Sequence, residues 1–149
     1  MSATYRNLTP EKVQYLIVHC AATRPSMDVG VKEIRKWHLQ RGFNDVGYHY
    51  VIRRDGSIEK GRADTIPGAH AEGYNGKSLG VCLVGGVSEN DVKVAENNFT
   101  EAQFDALHTL LRQLRASHPN AKVIGHREVN RGKACPSFDV QEWLIRNPI

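Results

Sequence analysis

The 149-residue sequence lacks the segments that send a protein into or across a membrane. Its start, MSATYRNLTPEKVQYLIVHC, has no basic segment followed by an apolar run of roughly 7–15 residues and a small-residue cleavage site, as a secretory signal has. No apolar stretch approaches the roughly 20 residues that span a bilayer. We therefore expect no signal peptide, no membrane insertion and a protein that stays in the cytoplasm where it is made.

Cysteine is scarce, with only Cys20, Cys82 and Cys135 in the chain. An odd number of cysteines, in a chain long enough to bury roughly two-thirds of its unfolded surface, excludes a scaffold built on disulfides alone. A reducing compartment suits such a set. Cys20 and Cys82 lie in apolar segments and are expected in the core, with Cys20 on the opposite face of its strand from His19.

Internal repeats, linkers and low-complexity segments are also missing, which predicts one domain over residues 1–149. The hydrophobic fraction of 40% and the charged fraction of 24% are typical of folded globular chains. The net charge is +4, but the basic residues are scattered and form no single run. The charge favours contact with an anionic polymer, such as nucleic acid or a cell-envelope polymer, and is equally explained by solubility.

Apolar runs predict buried strands at 13–20, 79–84 and 121–125, and an Asp55-Gly56 turn predicts a hairpin between 48–53 and 58–61. Helices are expected from an Asp28 N-cap to Arg41, from a Thr100 capping box to about residue 118, and from Ser137 or Asp139 to residue 146. The glycine-rich segment 62–78 is expected to be a surface loop that carries substrate contacts. This alternation predicts an α/β or α+β fold with one mixed sheet flanked by helices.

Three residues suggest a zinc cleft at the strand ends. His19 and His126 each follow a buried strand, and Cys135 lies in a loop that leads to the last helix. Two imidazoles and one thiolate form an accepted catalytic zinc set that leaves one coordination position open. The alternative is that the histidines are structural or exposed and that the cysteine is a small buried hydrophobe.

Longer motifs carry a family resemblance. They cover most of the chain and are VGVKEIRKWH, DVGYHYVIRRDGSIEKGR, GAHAEGYNGKSLGVCLVGG, NFTEAQFDALHTLL and KACPSFD. Together they resemble the N-acetylmuramoyl-L-alanine amidases of the peptidoglycan-recognition superfamily, and especially the short phage amidases that are called lysozymes. The resemblance implies that a single Zn²⁺ is bound by His19, His126 and Cys135. Receptor-type relatives lose this cysteine and their activity with it.

The same resemblance implies catalytic roles for Tyr48 and Lys133. A hydroxyl or an ammonium group can stabilise the oxyanion of a tetrahedral intermediate. Without the resemblance, the simpler interpretation is that Tyr48 is an aromatic residue of a strand and that Lys133 is a solvated charge on the surface. His49 competes with Tyr48, but adjacent strand residues face opposite sides, and the resemblance selects Tyr48. His70, in the glycine-rich loop, is a candidate contact for the substrate.

The implied reaction is hydrolysis of the amide bond between N-acetylmuramic acid and L-alanine in peptidoglycan. The resemblance implies a monomeric phage endolysin that waits in the host cytoplasm until the membrane is breached. Some short phage amidases of this kind also bind and restrain the phage RNA polymerase, and the sequence leaves this second role open. We expect no direct binding to nucleic acid. The alternative of another class is a peptidoglycan-binding module without catalysis, against which Cys135, Tyr48 and Lys133 argue.

Overall fold

The computed structural model describes residues 7–149, which form one five-stranded sheet with three α-helices. The first six residues, which begin the segment searched for a secretory signal, lie outside the described residues. The strands are β1 (Tyr15–Cys20), β2 (Tyr50–Ile52), β3 (Ile58–Lys60), β4 (Ser78–Leu83) and β5 (Lys122–Gly125). The helices are α1 (Val31–Gln40), α2 (Glu101–Ser117) and α3 (Val140–Arg146).

The sheet is mixed, with the strand order β3-β2-β4-β1-β5. β1 lies between β4 and β5 and is parallel to both, and β2 is parallel to β4. Only β3 is antiparallel, paired with β2 through the predicted hairpin, where Gly56 takes a φ of +88°. The predicted α/β architecture, one mixed sheet flanked by helices, is confirmed.

Two of the predicted helix starts are confirmed by their capping contacts. The Thr100 hydroxyl accepts a hydrogen bond from the Gln103 backbone N–H, and the Gln103 side chain accepts one from the Thr100 N–H. This reciprocal pair satisfies two of the unpaired donors at the start of α2. Asp139 caps α3 by accepting from the Glu142 N–H, which selects it over Ser137.

The predicted N-cap of α1 is wrong. Gly30, not Asp28, precedes the first helical residue, and the Glu33 carboxylate accepts a hydrogen bond from the Gly30 N–H at 2.8 Å. Asp28 instead pairs with Arg53, which follows β2, at 3.0 Å. The N–H groups at the start of α1 are bonded instead by Glu33 and by Glu59, which accepts from the Val31 N–H at 2.8 Å.

One face of the sheet carries the main apolar core. Alternate strand residues such as Leu16 and Val18 of β1 and Val81 and Leu83 of β4 pack with the leucines of α2. Phe138 and Val140 close this core at the end near α3. The period-2 alternation of the strands meets an apolar stripe at helical spacing on α2, which is why Leu107, Leu111 and Leu114 are buried.

The other face of the sheet is shared between α1 and a polar cleft. Val31 and Ile34 of α1 pack on Val51 and Cys82, which confirms the expected core position of Cys82. Beyond α1, toward β1 and β5, this face carries the buried Ile17 and then the histidines of the cleft. Within residues 7–149, no helix has the length and apolar character to cross a membrane.

Candidate active site

The ends of β1 and β5 bring the first two candidate ligands together. These strands are parallel neighbours, so their carboxyl ends lie at the same edge of the sheet. His19 is the penultimate residue of β1, and His126 directly follows β5 in a short 3₁₀ turn. The rings of the two histidines lie 4.4 Å apart, centroid to centroid. Strand order alone therefore explains how residues more than a hundred positions apart meet.

Cys135 reaches the same edge from the loop before α3. Its carbonyl accepts a hydrogen bond from the Arg127 N–H at 2.8 Å, which ties the returning loop to the turn that carries His126. Its Sγ lies 3.9 Å from Nδ1 of His19 and accepts a hydrogen bond from the Cys20 backbone N–H at 3.1 Å. One ligand atom from each of His19, His126 and Cys135 lies within 4.8 Å of the others.

Both candidate imidazoles are poised in the neutral form. Burial, together with the nearby His70 and His126, lowers the pKa of His19 well below its usual value. Burial, and then the Lys133 cation, lowers the pKa of His126. A neutral imidazole has a free ring nitrogen, which is the form that binds a metal ion.

The donor set fits zinc. The Cys20 thiol beside it, and then burial, raise the pKa of the Cys135 thiol, so a cation is the partner that would hold it as a thiolate. The Cys20 N–H already points at the sulfur, as expected for a group that compensates thiolate charge. Two imidazole nitrogens and a sulfur match catalytic zinc sites, which have three protein ligands and a fourth coordination position open to water or substrate.

Tyr48 stands beside this cluster. Its ring lies 5.1 Å from that of His19, and it is half-buried on the wall of the cleft. Burial raises the pKa of Tyr48 well above its usual value, so the hydroxyl stays protonated and can donate a hydrogen bond. His38 of α1 packs against the Tyr48 ring and accepts from the Gly47 N–H at 2.8 Å, which fixes the segment that carries the tyrosine.

His49, the neighbour of Tyr48, is enclosed away from the cleft. Its Nδ1 accepts from the Gly80 N–H at 3.0 Å, and its Nε2 donates to the Ile66 carbonyl at 2.7 Å. Burial lowers its pKa to about 4. It therefore joins β4 to the glycine-rich loop as a neutral residue.

Lys133 and the cleft walls complete the site. Lys133 is exposed and lines a cleft of about 690 Å³ that also contains the three candidate ligands and Tyr48. Its loop is turned by the Lys133 N–H, which donates to the Asn130 carbonyl at 3.0 Å. The cleft carries three basic side chains and one acidic one, namely Arg41, Lys93, Lys133 and Glu72. It is therefore electropositive.

His70 lies in the cleft floor with both ring nitrogens bonded inside the protein. Nδ1 meets Nε2 of His19 at 2.7 Å, and Nε2 meets the Ser78 hydroxyl at 3.2 Å. Burial lowers the pKa of His70 to about 3. Both ring nitrogens are therefore engaged inside the protein. The contact of His70 with the substrate stays a prediction.

Some site contacts had no signal in the sequence pattern. Cys20 is buried, as expected of a core residue, but it also borders the cleft, where its backbone N–H meets Cys135 and its thiol lies 3.7 Å from the Ser137 hydroxyl. The support of Tyr48 by His38 was likewise not predicted. These contacts depend on how separate segments pack, which a local pattern does not reveal.

The family comparison covers almost all of the described chain. A family model described as N-acetylmuramoyl-L-alanine amidase matches residues 9–138. The endolysin of Escherichia phage T7 is 48% identical over 139 residues, which are 93% of this chain and 90% of that protein. The endolysin of Enterobacteria phage K11 is 48% identical over 90% of this chain and 87% of its own length.

Solved structures agree with the sequence relatives. The N-acetylmuramoyl-L-alanine amidase LysC from Clostridium intestinale superposes with a TM-score of 0.76 at 25% identity, covering 98% of this chain and 92% of that one. Drosophila PGRP-LB superposes with a TM-score of 0.71 at 28% identity, covering 91% and 81%. The fold, the cluster of two histidines and a cysteine at its sheet edge, and the match over residues 9–138 lead to one conclusion. This chain belongs to the N-acetylmuramoyl-L-alanine amidase family.

Proposed function

We propose that this chain is a single-domain, zinc-dependent endolysin that hydrolyses the amide bond between the lactyl group of N-acetylmuramic acid and L-alanine. The observation that carries the proposal is the convergence of His19, His126 and Cys135 at one sheet edge, with their ligand atoms within 4.8 Å of one another. The similarity to phage endolysins over nine-tenths of the chain supports the biological role.

His19, His126 and Cys135 would hold the ion. When bound, zinc supplies a Lewis acid that polarises a carbonyl and lowers the pKa of water to about 7. The two imidazoles would bind as neutral ligands and Cys135 as a thiolate with one negative charge. The zinc site would therefore keep a net positive charge for this chemistry. The Cys20 N–H, 3.1 Å from the sulfur, holds the thiolate in place.

Tyr48 and Lys133 would serve the transition state. The Tyr48 hydroxyl, kept protonated by burial, donates a hydrogen bond where negative charge develops on the scissile carbonyl oxygen. Lys133 lines the same cleft as His126, and its cation helps burial to lower the pKa of that imidazole, so its ammonium group would stabilise negative charge in this cleft. Both residues line the cleft in front of the ligand cluster.

The cleft suits a peptidoglycan stem peptide, which carries carboxylates. Arg41 and Lys93 provide positive charge away from the metal cluster, and Phe43 provides an apolar contact surface. Electrostatic attraction of this kind accelerates encounter and weakens with salt. The net charge of +4 acts in the same direction.

The test of the reaction is a product assay on purified peptidoglycan. We expect new N-terminal alanine without new reducing sugar ends. New reducing ends without new N-termini would identify a glycosidase and overturn the proposal. Binding to peptidoglycan without release of either product would identify a non-catalytic binding module.

The test of the metal site is the Cys135→Ala variant, measured by elemental analysis and by product release. We expect zinc and activity to be lost together, because two imidazoles alone leave the ion weakly held. Ile145→Ala is the control, since Ile145 is exposed on α3 and does not line the cleft. Activity that survives both the Cys135→Ala change and thorough chelation would refute the metal mechanism.

The remaining roles are predictions with their own measurements. Inhibition of a phage RNA polymerase is tested by measuring transcription by that polymerase at saturating concentrations of this protein. A monomer is tested by light scattering. Release from the host cytoplasm predicts that intact cells with an outer membrane lyse from outside only when a detergent or a pore-forming agent is added.

A further inference from the structure

A line of hydrogen bonds runs from the candidate metal site into the protein. His19 Nε2 lies 2.7 Å from His70 Nδ1, and His70 Nε2 lies 3.2 Å from the Ser78 hydroxyl. The Ser78 hydroxyl in turn lies 2.7 Å from the Tyr74 carbonyl oxygen. These groups lie behind His19, on the side away from Cys135, whose sulfur is 3.9 Å from the other ring nitrogen of His19.

The chemistry of the Tyr74 carbonyl sets the direction of every proton in this line. A carbonyl oxygen only accepts, so the single Ser78 hydroxyl hydrogen is donated to Tyr74. Ser78 must then accept from His70 Nε2–H. His70 is buried and has no carboxylate partner within residues 7–149, so it is neutral and its Nδ1 is an acceptor.

The same logic fixes His19. Because His70 Nδ1 accepts, His19 Nε2 carries the hydrogen that is donated to it. A neutral His19 with its hydrogen on Nε2 has a bare lone pair on Nδ1. That nitrogen is the one that faces Cys135.

The backbone around His70 is shaped for its ring. A Cβ added at Gly80 of β4 would lie 2.7 Å from Cγ and Nδ1 of His70, and one added at Gly68 would lie 2.6 Å from its Cδ2. The Asn75 side chain accepts from the His70 N–H at 2.9 Å and fixes the backbone as well. Two glycines and an asparagine thus hold the imidazole at the distance that the bond to His19 requires.

We propose that His70 is a positioning residue that sets the tautomer and the ring orientation of His19, with Ser78 setting the tautomer of His70 in turn. The Nδ1 atom of His19 is thereby the metal-binding atom, and the relay keeps it free of a proton. Partners of this kind, when removed, typically cost a metal site roughly 10–100-fold in affinity. The inference rests on the proposed zinc site and assigns His70 to the inner wall of that site.

The experiment measures the His19 tautomer by nitrogen-15 NMR of the zinc-free protein and the zinc Kd by chelator competition at one fixed pH. In the wild-type protein we expect the hydrogen of His19 on Nε2. His70→Leu removes the acceptor, and we expect its zinc Kd to rise roughly 10–100-fold. His70→Asn places an amide oxygen near the former Nδ1 position, so we expect its Kd to stay within about threefold of wild type.

Two further variants separate positioning from general stability. Ser78→Ala removes only the second link, and we expect a rise in Kd that is smaller than that of His70→Leu. His118→Leu is the matched control, because His118 is also buried and also bonds a carbonyl, that of Leu114, but lies on the α2 side. Its zinc Kd should equal that of the wild type.

Each outcome decides the proposal. A hydrogen on Nδ1 of His19 in the zinc-free wild type overturns it, and so does a His70→Leu Kd within threefold of wild type or a His118→Leu loss of the same size. If His70→Leu does not fold, the tautomers of the wild type and of Ser78→Ala still decide. A wild type that binds no zinc refutes the proposed function, whereas the His19 tautomer tests the relay independently.

Discussion

The two faces of the sheet are built from the same strands and do opposite things. On the α2 face, β1 presents Leu16 and Val18 to a continuous apolar core. On the other face, the same strand presents His19 to a cluster of buried imidazoles that includes His49 and His70. Alternation along one strand therefore places stabilising residues and chemically active residues one position apart.

The difference shows where this protein gains stability and where it gives some up. Apolar burial on the α2 face stabilises at roughly 25 cal/mol per Å². Each buried imidazole on the other face is desolvated and needs a hydrogen-bond partner. For the same buried volume, that face therefore contributes less to the free energy of unfolding. We therefore expect substitutions on the two faces to separate stability from activity.

The largest expected effect on stability comes from Leu111→Ala. Leu111 is fully buried between α2 and the sheet, and its loss leaves a cavity. We expect the free energy of unfolding to fall by about 2–5 kcal/mol in denaturant titrations, with the zinc Kd of the folded protein unchanged. Ile145→Ala is the control, because Ile145 is 81% exposed on α3 and its truncation should change the unfolding free energy by less than about 0.5 kcal/mol.

The Tyr48→Phe variant is expected to lose activity and to keep its stability. It removes one hydroxyl from the cleft and keeps the ring that packs on His38 and His19. We expect turnover of peptidoglycan to fall roughly 10²-fold, because one hydrogen-bond donor to the oxyanion is lost. The denaturation midpoint and the zinc content should match the wild type.

Tyr50→Phe is the matched control for the hydroxyl. Tyr50 lies two residues further on, and its hydroxyl donates to Asp64 at 2.7 Å, outside the cleft. Its loss should cost about 1 kcal/mol of stability and no turnover per folded molecule. Equal loss of turnover in the two variants would contradict the assignment of Tyr48 to the transition state.

The α2 face could be read from the sequence because its signals are local. The alternation of β1 and β4, the Thr100-Gln103 capping box and the Asp55-Gly56 turn each lie within a few residues of the element that they specify. At the one wrong helix start, the distant Glu59, in place of Asp28, accepts from the Val31 N–H. Local patterns do not record such long-range competition.

The polar face could be read only in part. Strand ends marked His19 and His126 as candidates, the loop before the last helix marked Cys135, and the family motifs added Tyr48 and Lys133. The bond from His70 to His19 had no such mark, because it joins a loop to a strand across fifty-one positions. Whether a loop histidine contacts substrate or another histidine is decided by packing, as Gly68 and Gly80 show.

The last expected effect is a pH dependence of stability that comes from His49. In the folded protein burial lowers its pKa to about 4, whereas an unfolded chain titrates near pH 6.5. Between these values the unfolded state takes up a proton that the folded state excludes, so stability is lost as the pH falls. From pH 7 to pH 5 we expect His49 alone to lower the free energy of unfolding by about 2 kcal/mol.

The His49→Asn variant isolates this contribution. Its amide oxygen can still accept from the Gly80 N–H, as His49 Nδ1 does, but nothing at position 49 then titrates in this range. His19, His38 and His70 also have lowered pKa values and weaken both proteins in acid, so the informative quantity is the difference between the two curves. Denaturant titrations should show that the free energy of unfolding of the variant, relative to that of the wild type, rises by about 2 kcal/mol from pH 7 to pH 5. Parallel curves would show that His49 has the same pKa in the folded and unfolded proteins, which would contradict its assignment as a buried, neutral imidazole whose Nδ1 accepts from the Gly80 N–H.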